Sequence, residues 1–356
     1  MHEASIAHAV VSTVVDALDG DPPPDVRSVR LCIGELAAVV PAALMFAYDV
    51  ATAGTPLEGS TLDIETTPAI IECPRCGRGE LADFRDFRCP TCGDLCGKVV
   101  GGQELEIVQI TLVGQEDESA DDGGDSGDGR IEEIRTGMLA KNDFLAAGLR
   151  GRFTSSNVRV SNWVSSPGSG KTALLEALLA MAVERGLGAA TLVGDCATDN
   201  DAVRLARSGA IARQIVTDGN CHLESDMISA HLEGWDLDDF DLLVIENVGN
   251  LVCPASYDLG EDTRVVLLSV TEGEDKPLKY PKLFITADVV VVTKLDVVEA
   301  VGWDREAALD AVRAVNPEAQ ILLTSARRGE GVEDLLDQLL APVGSVSAAS
   351  VSAATC

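Results

Sequence analysis

The octapeptide SSPGSGKT at residues 165–172 constrains the fold of this chain more than any other feature. It follows a predicted strand at 158–164 and precedes a helical pattern over 171–184. A glycine-rich turn between a buried strand and a helix points successive backbone N–H groups, and the positive end of the helix, at one anion. Gly168, Ser169 and Gly170 are therefore expected to cradle phosphates. Lys171 is expected to neutralise the β- and γ-phosphates, and Thr172 to ligate Mg2+. Ser165 stands where the usual G-x-x-x-x-G-K-S/T pattern has its first glycine, a departure that leaves the rest intact. Downstream, the runs AATLVG, DLLVIEN, RVVLLSV, ADVVVVTK and AQILLTS recur, most of them separated by helical stretches. Near-continuous apolar strands alternating with helices predict an α/β P-loop domain with a mostly parallel sheet.

Two strand ends add acids. Asp195 closes TLVGD and Glu246 closes DLLVIE, so both can face magnesium directly or through water. TKLD at 293–296 follows ADVVVV, where GTPases carry N-K-x-D. Asp296 there can accept from the guanine N1–H and amino group, while Lys294 packs over the base; Thr293 replaces the usual asparagine. TSARRGEG at 324–331 supplies a further base-contacting loop through Ser325 and Ala326. GTP is favoured over ATP, and the expected catalytic set is Lys171, Thr172, Asp195 and Glu246. No residue is assigned to positioning the water.

The N-terminal part has another character. Ile6, Val10, Val14 and Leu18 share one helical face, Val29, Leu31 and Ile33 alternate as a strand, and Pro41 suits the first turn of a second helix that Gly54 can end. Leu62 with Ile64, and Leu105 to Leu112, suggest further strands. Between them, at about 70–100, Cys73, Cys76, Cys89 and Cys92 form C-x2-C-x12-C-x2-C, the spacing of a closed, structural zinc site. This predicts a small α+β zinc-knuckle domain at 1–114. Residues 115–130, QEDESADDGGDSGDGR, hold seven acids and four glycines and no large apolar side chain. Such a segment reads as a flexible acidic linker spanning on the order of 20–25 Å as a coil. The GTP-binding domain then occupies 131–340, and the Ser/Ala/Val-rich 341–356 reads as a disordered tail.

A net charge of −31 argues against a nucleic-acid partner, since phosphate contacts need a basic face. No apolar run reaches the ~18 residues of a membrane span, and the first residues lack a signal peptide's basic start. A cytoplasmic location is expected. Ten cysteines in such a chain point to metal or reactive thiols rather than disulfides. TDGNCHLESD at 217–226 sets Cys221 beside His222, and ENVGNLVCP puts Cys253 just past the strand carrying Glu246. Thiolate and imidazole suit zinc and nickel. On spacing alone, a buried cysteine beside a capping histidine is an equal reading. At the N-terminus the terminal amine, a backbone amide and the His2 imidazole can converge on nickel or copper, the plainer reading being an exposed histidine at a frayed end.

These stretches carry a resemblance over nearly the whole chain. Residues 1–113 resemble the nickel chaperone HypA of [NiFe]-hydrogenase maturation, through MHEASIAHAV, VRLCIGELAAVVPAALMFAYDVATAGTPLEG and the two C-x-x-C pairs. Residues 131–340 resemble HypB, its partner GTPase, through AKNDFLAAGLRGRF, VSSPGSGKTALL, CHLESDM, IENVGNLVCPASYDLGE and SVTEGEDKPLKYP. The resemblance implies a natural HypA–HypB fusion, a GTP-hydrolysing metallochaperone that captures Ni2+ and delivers it to the hydrogenase large subunit alongside other maturation proteins. It implies nickel at His2 with Glu3, structural Zn2+ at the four knuckle cysteines, and nickel or zinc at Cys221, His222 and Cys253. In that family the last site lies at a GTP-dependent homodimer interface, and SSPGSGKT resembles the family's form of the loop. Some HypB proteins begin with a histidine- or cysteine-rich stretch; here the acidic linker stands in that place, so storage of many nickel ions is not expected. The alternatives are service to another nickel enzyme such as urease, or a zinc-stabilised regulatory GTPase without metal transfer.

Overall fold

A computed structural model describes residues 2–18, 23–37, 39–83, 87–94, 98–113, 131–132, 136–137, 139–195, 200–217 and 221–342. Met1, the acidic segment 115–130 and residues 343–356 of the tail lie outside the described residues. The chain divides into two compact units, residues 1–70 with 99–140, and residues 71–98 with 141–356.

In chain order the first elements are α1 (His2–Ala17), β1 (Val26–Gly34), α2 (Pro41–Ala51), β2 (Thr61–Thr67), β3 (Ile70–Cys73), β4 (Gly77–Glu80), β5 (Val99–Gly101), β6 (Leu105–Leu112), β7 (Ile131–Glu132) and β8 (Thr136–Gly137). β1 pairs in parallel with β2 and antiparallel with β6. Helix α1 buries Ile6, Val10 and Val14 in one core with Val29, Leu31 and Ile33 of β1 and with Leu44 and Tyr48 of α2, the 3.6-residue stripe meeting the two-residue alternation. Pro41 opens α2 as its fixed φ favours, and the helix ends at Ala51, before Gly54 turns the chain at φ 74°. β7 and β8 both pair with β6, so this sheet draws on backbone beyond the acidic segment. The knuckle strands form their own sheet, ordered β4-β3-β5.

The remaining elements are α3 (Ala140–Ser155), β9 (Arg159–Val164), α4 (Lys171–Glu184), β10 (Ala189–Asp195), α5 (Asn200–Ala206), β11 (Ile211–Val216), α6 (Ser225–His231), β12 (Leu242–Glu246), β13 (Thr263–Ser269), α7 (Lys276–Lys279), α8 (Pro281–Ile285), β14 (Val289–Thr293), α9 (Val298–Val301), α10 (Arg305–Val315), β15 (Gln320–Leu323) and α11 (Val332–Leu340). Seven strands form one sheet in the order β11-β10-β12-β9-β13-β14-β15, and every ladder in it is parallel. Alternate strand residues feed opposite cores. Val193, Leu242 and Val244 pack with Leu174 and Leu178 of α4, Leu205 of α5 and Leu335 of α11. Leu192, Leu243 and Ile245 pack with Phe153 of α3 and Ile228 of α6. β9 leads into the phosphate loop from the middle of the sheet, flanked by β12 and β13, where ligands of parallel sheets gather at the strands' carboxyl ends. No described helix is long and apolar enough to cross a membrane.

One buried charge in this unit has a measurable consequence. Burial pushes the Lys282 ammonium on α8 down to about 8 from its ordinary 10.5. The folded chain then gives up this proton near pH 8, while the unfolded chain holds it to about 10.5. Stability attributable to Lys282 therefore rises with pH across that window. Lys282→Met is expected to be more stable than the parent by on the order of 2 kcal/mol at pH 7, after discounting for partial exposure. The gap should close above pH 10.5 in urea titrations at several pH values. A gap independent of pH would mean that the gain comes from packing.

Candidate functional site

The loop from Ser165 to Thr172 forms because Gly168 and Gly170 adopt φ 76° and 96°, a left-handed backbone open to glycine at no steric cost. Gly170 caps α4, so the first N–H groups of that helix face the loop. The Lys171 ammonium is buried, donates to the Asn247 carbonyl and lies 3.9 Å from Glu246. Burial lowers its pKa, against the opposing pull of Glu246, Asp201 and Asp195. The Thr172 hydroxyl donates to Glu246 Oε1 at 2.9 Å. Glu246 is 2% exposed, burial raises its carboxyl pKa, and its Oε2 has no hydrogen-bond partner. A buried carboxylate oxygen without a donor, next to a Thr hydroxyl, fits the hard-oxygen ligand set of magnesium. Asp195 sits on β10 two residues past Val193, the partner of Glu246 in the ladder, so both acids end neighbouring strands.

The base-side residues converge on the same loop. Lys294 takes φ 62° and donates to the Gly168 carbonyl at 2.6 Å, with its side chain beside Gly170. Thr293, the residue in the asparagine position, donates to the Ser169 carbonyl at 2.7 Å and so ties the TKLD turn to the phosphate loop. The Ser325 hydroxyl donates to Asp296 at 2.9 Å, and Ala326 packs against the adjoining core. Sequence reasoning did not single out Asn247, Asp201 or Lys276. Lys276 reaches across to donate to Ser166 of the loop and pairs with Glu272 at 3.1 Å. The sequence signal for it was the stretch SVTEGEDKPLKYP, which carries the resemblance without singling out the lysine.

Cys221, His222 and Cys253, all buried, bring their ligand atoms within 4.8 Å of one another. Cys221 Sγ lies 3.8 Å from His222 Nδ1, and His222 Nε2 lies 3.2 Å from Glu224. The imidazole rests against the Tyr257 ring with centroids 3.9 Å apart. Burial favours the neutral imidazole, but Cys221 and Glu224 outweigh it and raise the His222 pKa. The contact with Cys221, then burial, raises the Cys253 thiol. Two soft donors, one imidazole and a carboxylate on the second ring nitrogen fit a zinc or nickel ion, which must displace these protons. The carbonyls of Ala255 and Tyr257 are held by the buried Arg264, itself paired with Glu261 at 2.7 Å.

Cys73, Cys76, Cys89 and Cys92 likewise lie within 4.8 Å of one another. The Gly93 N–H donates back to the Cys89 carbonyl, closing the tight turn. The neighbouring thiol of Cys92, then burial, push Cys76 up to about 12. Four thiols this close cannot all ionise unless a dication neutralises them, so the donor set fits tetrahedral zinc. At the N-terminus, Glu3 accepts from the Val40 N–H at 3.2 Å. Met1 and the side chain of His2 lie outside the described residues.

Comparison with known proteins agrees with both halves. The family described as "Hydrogenase/urease nickel incorporation, metallochaperone, hypA" matches residues 1–112, and the "CobW/HypB/UreG, nucleotide-binding domain" family matches residues 160–323. Hydrogenase maturation factor HypB of Escherichia coli K12 is 46% identical over 210 residues, covering 59% of this chain and 72% of that protein. The Helicobacter pylori strain 26695 protein named hydrogenase/urease maturation factor HypB is 43% identical over 208 residues, covering 57% and 84%. Among solved structures, H. pylori HypB in complex with nickel shares 42% identity at a TM-score of 0.53, covering 56% of this chain and 94% of that one. HypB of Archaeoglobus fulgidus shares 39% at 0.52, covering 56% and 98%. The chain belongs to the HypB family of hydrogenase maturation factors, as a P-loop GTPase that carries a HypA domain ahead of it in the same polypeptide.

Proposed function

We propose that this chain captures Ni2+ in its HypA domain, at His2 with Glu3, and delivers it to the large subunit of a [NiFe]-hydrogenase, with GTP hydrolysis timing the movement. The HypA and HypB domains together make it a nickel metallochaperone of hydrogenase or urease maturation. The observation that carries the timing is local: Glu246, at the phosphate loop, and Cys253, in the thiol–imidazole cluster, bracket one short segment. Lys171, Thr172, Asp195 and Glu246 form the hydrolytic set, with Gly168, Ser169, Gly170, Lys294, Asp296, Ser325 and Ala326 holding GTP. Magnesium, when bound, would neutralise phosphate charge; Thr172 would hold it, with Asp195 and Glu246 facing it directly or through water, and Lys171 would add the fixed positive charge. The four knuckle cysteines hold zinc as a structural ion. We assign 1–114 to the HypA domain and 131–340 to the GTPase domain, although the strands at 131–132 and 136–137 pair with the first sheet, and a GTP-dependent homodimer suits a metal site that answers to nucleotide. A second reading, service to urease, is favoured by the H. pylori relatives named for both enzymes.

The test is nickel and zinc per chain, on tag-free protein at limiting Ni2+, first in GDP and then in a non-hydrolysable GTP analogue with magnesium. Zinc held throughout, with nickel occupancy that changes with nucleotide and falls in His2→Ala, is expected. Zinc alone, with nickel unbound in both states, would leave a zinc-stabilised regulatory GTPase instead.

A further inference from the structure

Asn247 is fully buried, and every polar atom it has is engaged. Its backbone N–H donates to the Trp163 carbonyl at the end of the strand that feeds the phosphate loop, at 3.1 Å. Its backbone carbonyl accepts the Lys171 ammonium. Its side-chain Oδ1 accepts the N–H of Val248 at 3.0 Å and that of Leu223 at 3.2 Å, and its Nδ2 donates to Asn162 at 3.3 Å. Leu223 immediately follows Cys221 and His222, and its side chain fills the space where a Cβ on Gly194 would have to stand, at 2.8 Å. A single residue therefore touches the phosphate-binding lysine with one atom and the peptide beside the metal-ligating pair with another. Three residues on, Asn250 Nδ2 donates to the Cys221 carbonyl at 3.3 Å. Between them, Gly249 runs against Pro167 of the phosphate loop, where a Cβ would meet its backbone at 3.4 Å.

We infer that Asn247, assisted by Asn250, is the positioning residue that couples the nucleotide site to the Cys221–His222–Cys253 site. The inference rests on the reading of that cluster as a metal site. Phosphate oxygens are stronger acceptors than a peptide carbonyl, so a nucleotide competes with Asn247 for the Lys171 ammonium. The Asn247 carbonyl then loses a charge-assisted bond while its side chain still holds Leu223. Packing here leaves no slack, so a shift of Asn247 carries the Leu223 peptide with it and changes the separation of Cys221 and His222 from Cys253. Coupling of this kind is reciprocal: nickel at the thiols must change nucleotide affinity by the factor by which nucleotide changes nickel affinity.

The experiment titrates Ni2+ into the full-length chain carrying one zinc per chain, with excess zinc removed, and follows thiolate-to-nickel charge-transfer absorption. The knuckle thiols are held by zinc and the His2 site has no thiolate; loss of the signal in a Cys221→Ser/Cys253→Ser variant assigns it to this pair rather than to Cys32, Cys96, Cys196 or Cys356. Affinity is measured without nucleotide and with a non-hydrolysable GTP analogue plus magnesium, in the parent, Asn247→Ala and Asn250→Ala. Alanine keeps the backbone carbonyl that Lys171 uses, and nucleotide affinity without nickel is measured in each variant as its own baseline, so that the ratio alone is read. The parent should show a nucleotide-dependent ratio of nickel affinities in the ~5–150-fold range of coupled sites, collapsing toward one in Asn247→Ala and falling in Asn250→Ala. A lesion that merely loosens the fold would shift both affinities and leave their ratio. An unchanged ratio in the variants, with the parent responding, overturns the inference and leaves the metal site standing. If Asn247→Ala does not fold, the half-buried Asn250→Ala decides alone. A parent with no thiolate signal, or none that answers to nucleotide, removes the reading beneath the inference along with it.

Discussion

Lys171→Ala is expected to lower GTP turnover by at least ~10²–10³-fold, the size of effect seen when one preorganised electrostatic contact to a reacting oxyanion is lost. The ammonium is buried, where its field is screened far less than in water. Burial disfavours its charge, yet Glu246, Asp201 and Asp195 surround it with compensating negative potential. The arrangement holds a cation in place before any phosphate arrives, so little reorganisation remains at the moment of transfer. The variant should still fold. Without Lys171, Glu246 is left buried without its nearest cation, and burial, which already raises its carboxyl pKa, then favours uptake of a proton over an unpaired charge. Phosphate release, thermal melting and thiolate–nickel absorption measured side by side check all of this. Turnover within about tenfold of the parent in a folded variant would remove Lys171 from the catalytic set.

The phosphate loop was legible because its chemistry is contiguous: spacing, glycines and the strand before it lie within one short window. The same holds for α4, found at Lys171–Glu184 where the sequence put it, and for the five apolar strand runs. β11 was missed because it is an edge strand, IARQIV, with Ile211 and Val216 exposed and Arg213 and Gln214 half-buried. It lacks the continuous apolar run by which the inner strands announce themselves. Leu105 to Leu112 was legible as a strand, but its pairing partners beyond residue 130 were not, since IE and TG carry no pattern of their own. In the site, Cys221 and His222 drew attention as neighbours, whereas their approach to Cys253 depends on how β12 and the loop after it return to the sheet end. Asn247 was invisible. Asparagine is ordinary after a strand, and only its bonds to residues far away in sequence, Lys171 and Leu223, give it meaning.

Removing zinc from the knuckle should have the largest structural effect, and a local one. Ile71, Leu81, Cys73, Cys89 and Phe87 are buried there, a thin apolar set for a segment that must hold three short strands and two tight turns. Cys89 is already disposed to ionise: the N–H groups of Cys92 and Thr91 stabilise its thiolate and lower its pKa, while Cys76 is pushed the other way. A dication resolves the conflict by accepting all four sulfurs as thiolates, and structural zinc sites of this kind supply about 10–16 kcal/mol at neutral pH. That exceeds what a few apolar side chains contribute at roughly 1.5–3 kcal/mol each. Cys89→Ser, or a strong chelator, is therefore expected to release the zinc and let the amides of 71–98 exchange rapidly with solvent. The parallel sheet, whose strands pack on α4, α11 and α3 without the knuckle cysteines, should melt at its usual temperature. Amide protection at Leu81 and Phe87 that survives chelation would show that the knuckle stands on its own packing. Loss of the sheet along with the knuckle would show instead that the metal's stabilisation reaches beyond residues 71–98 into the GTPase fold.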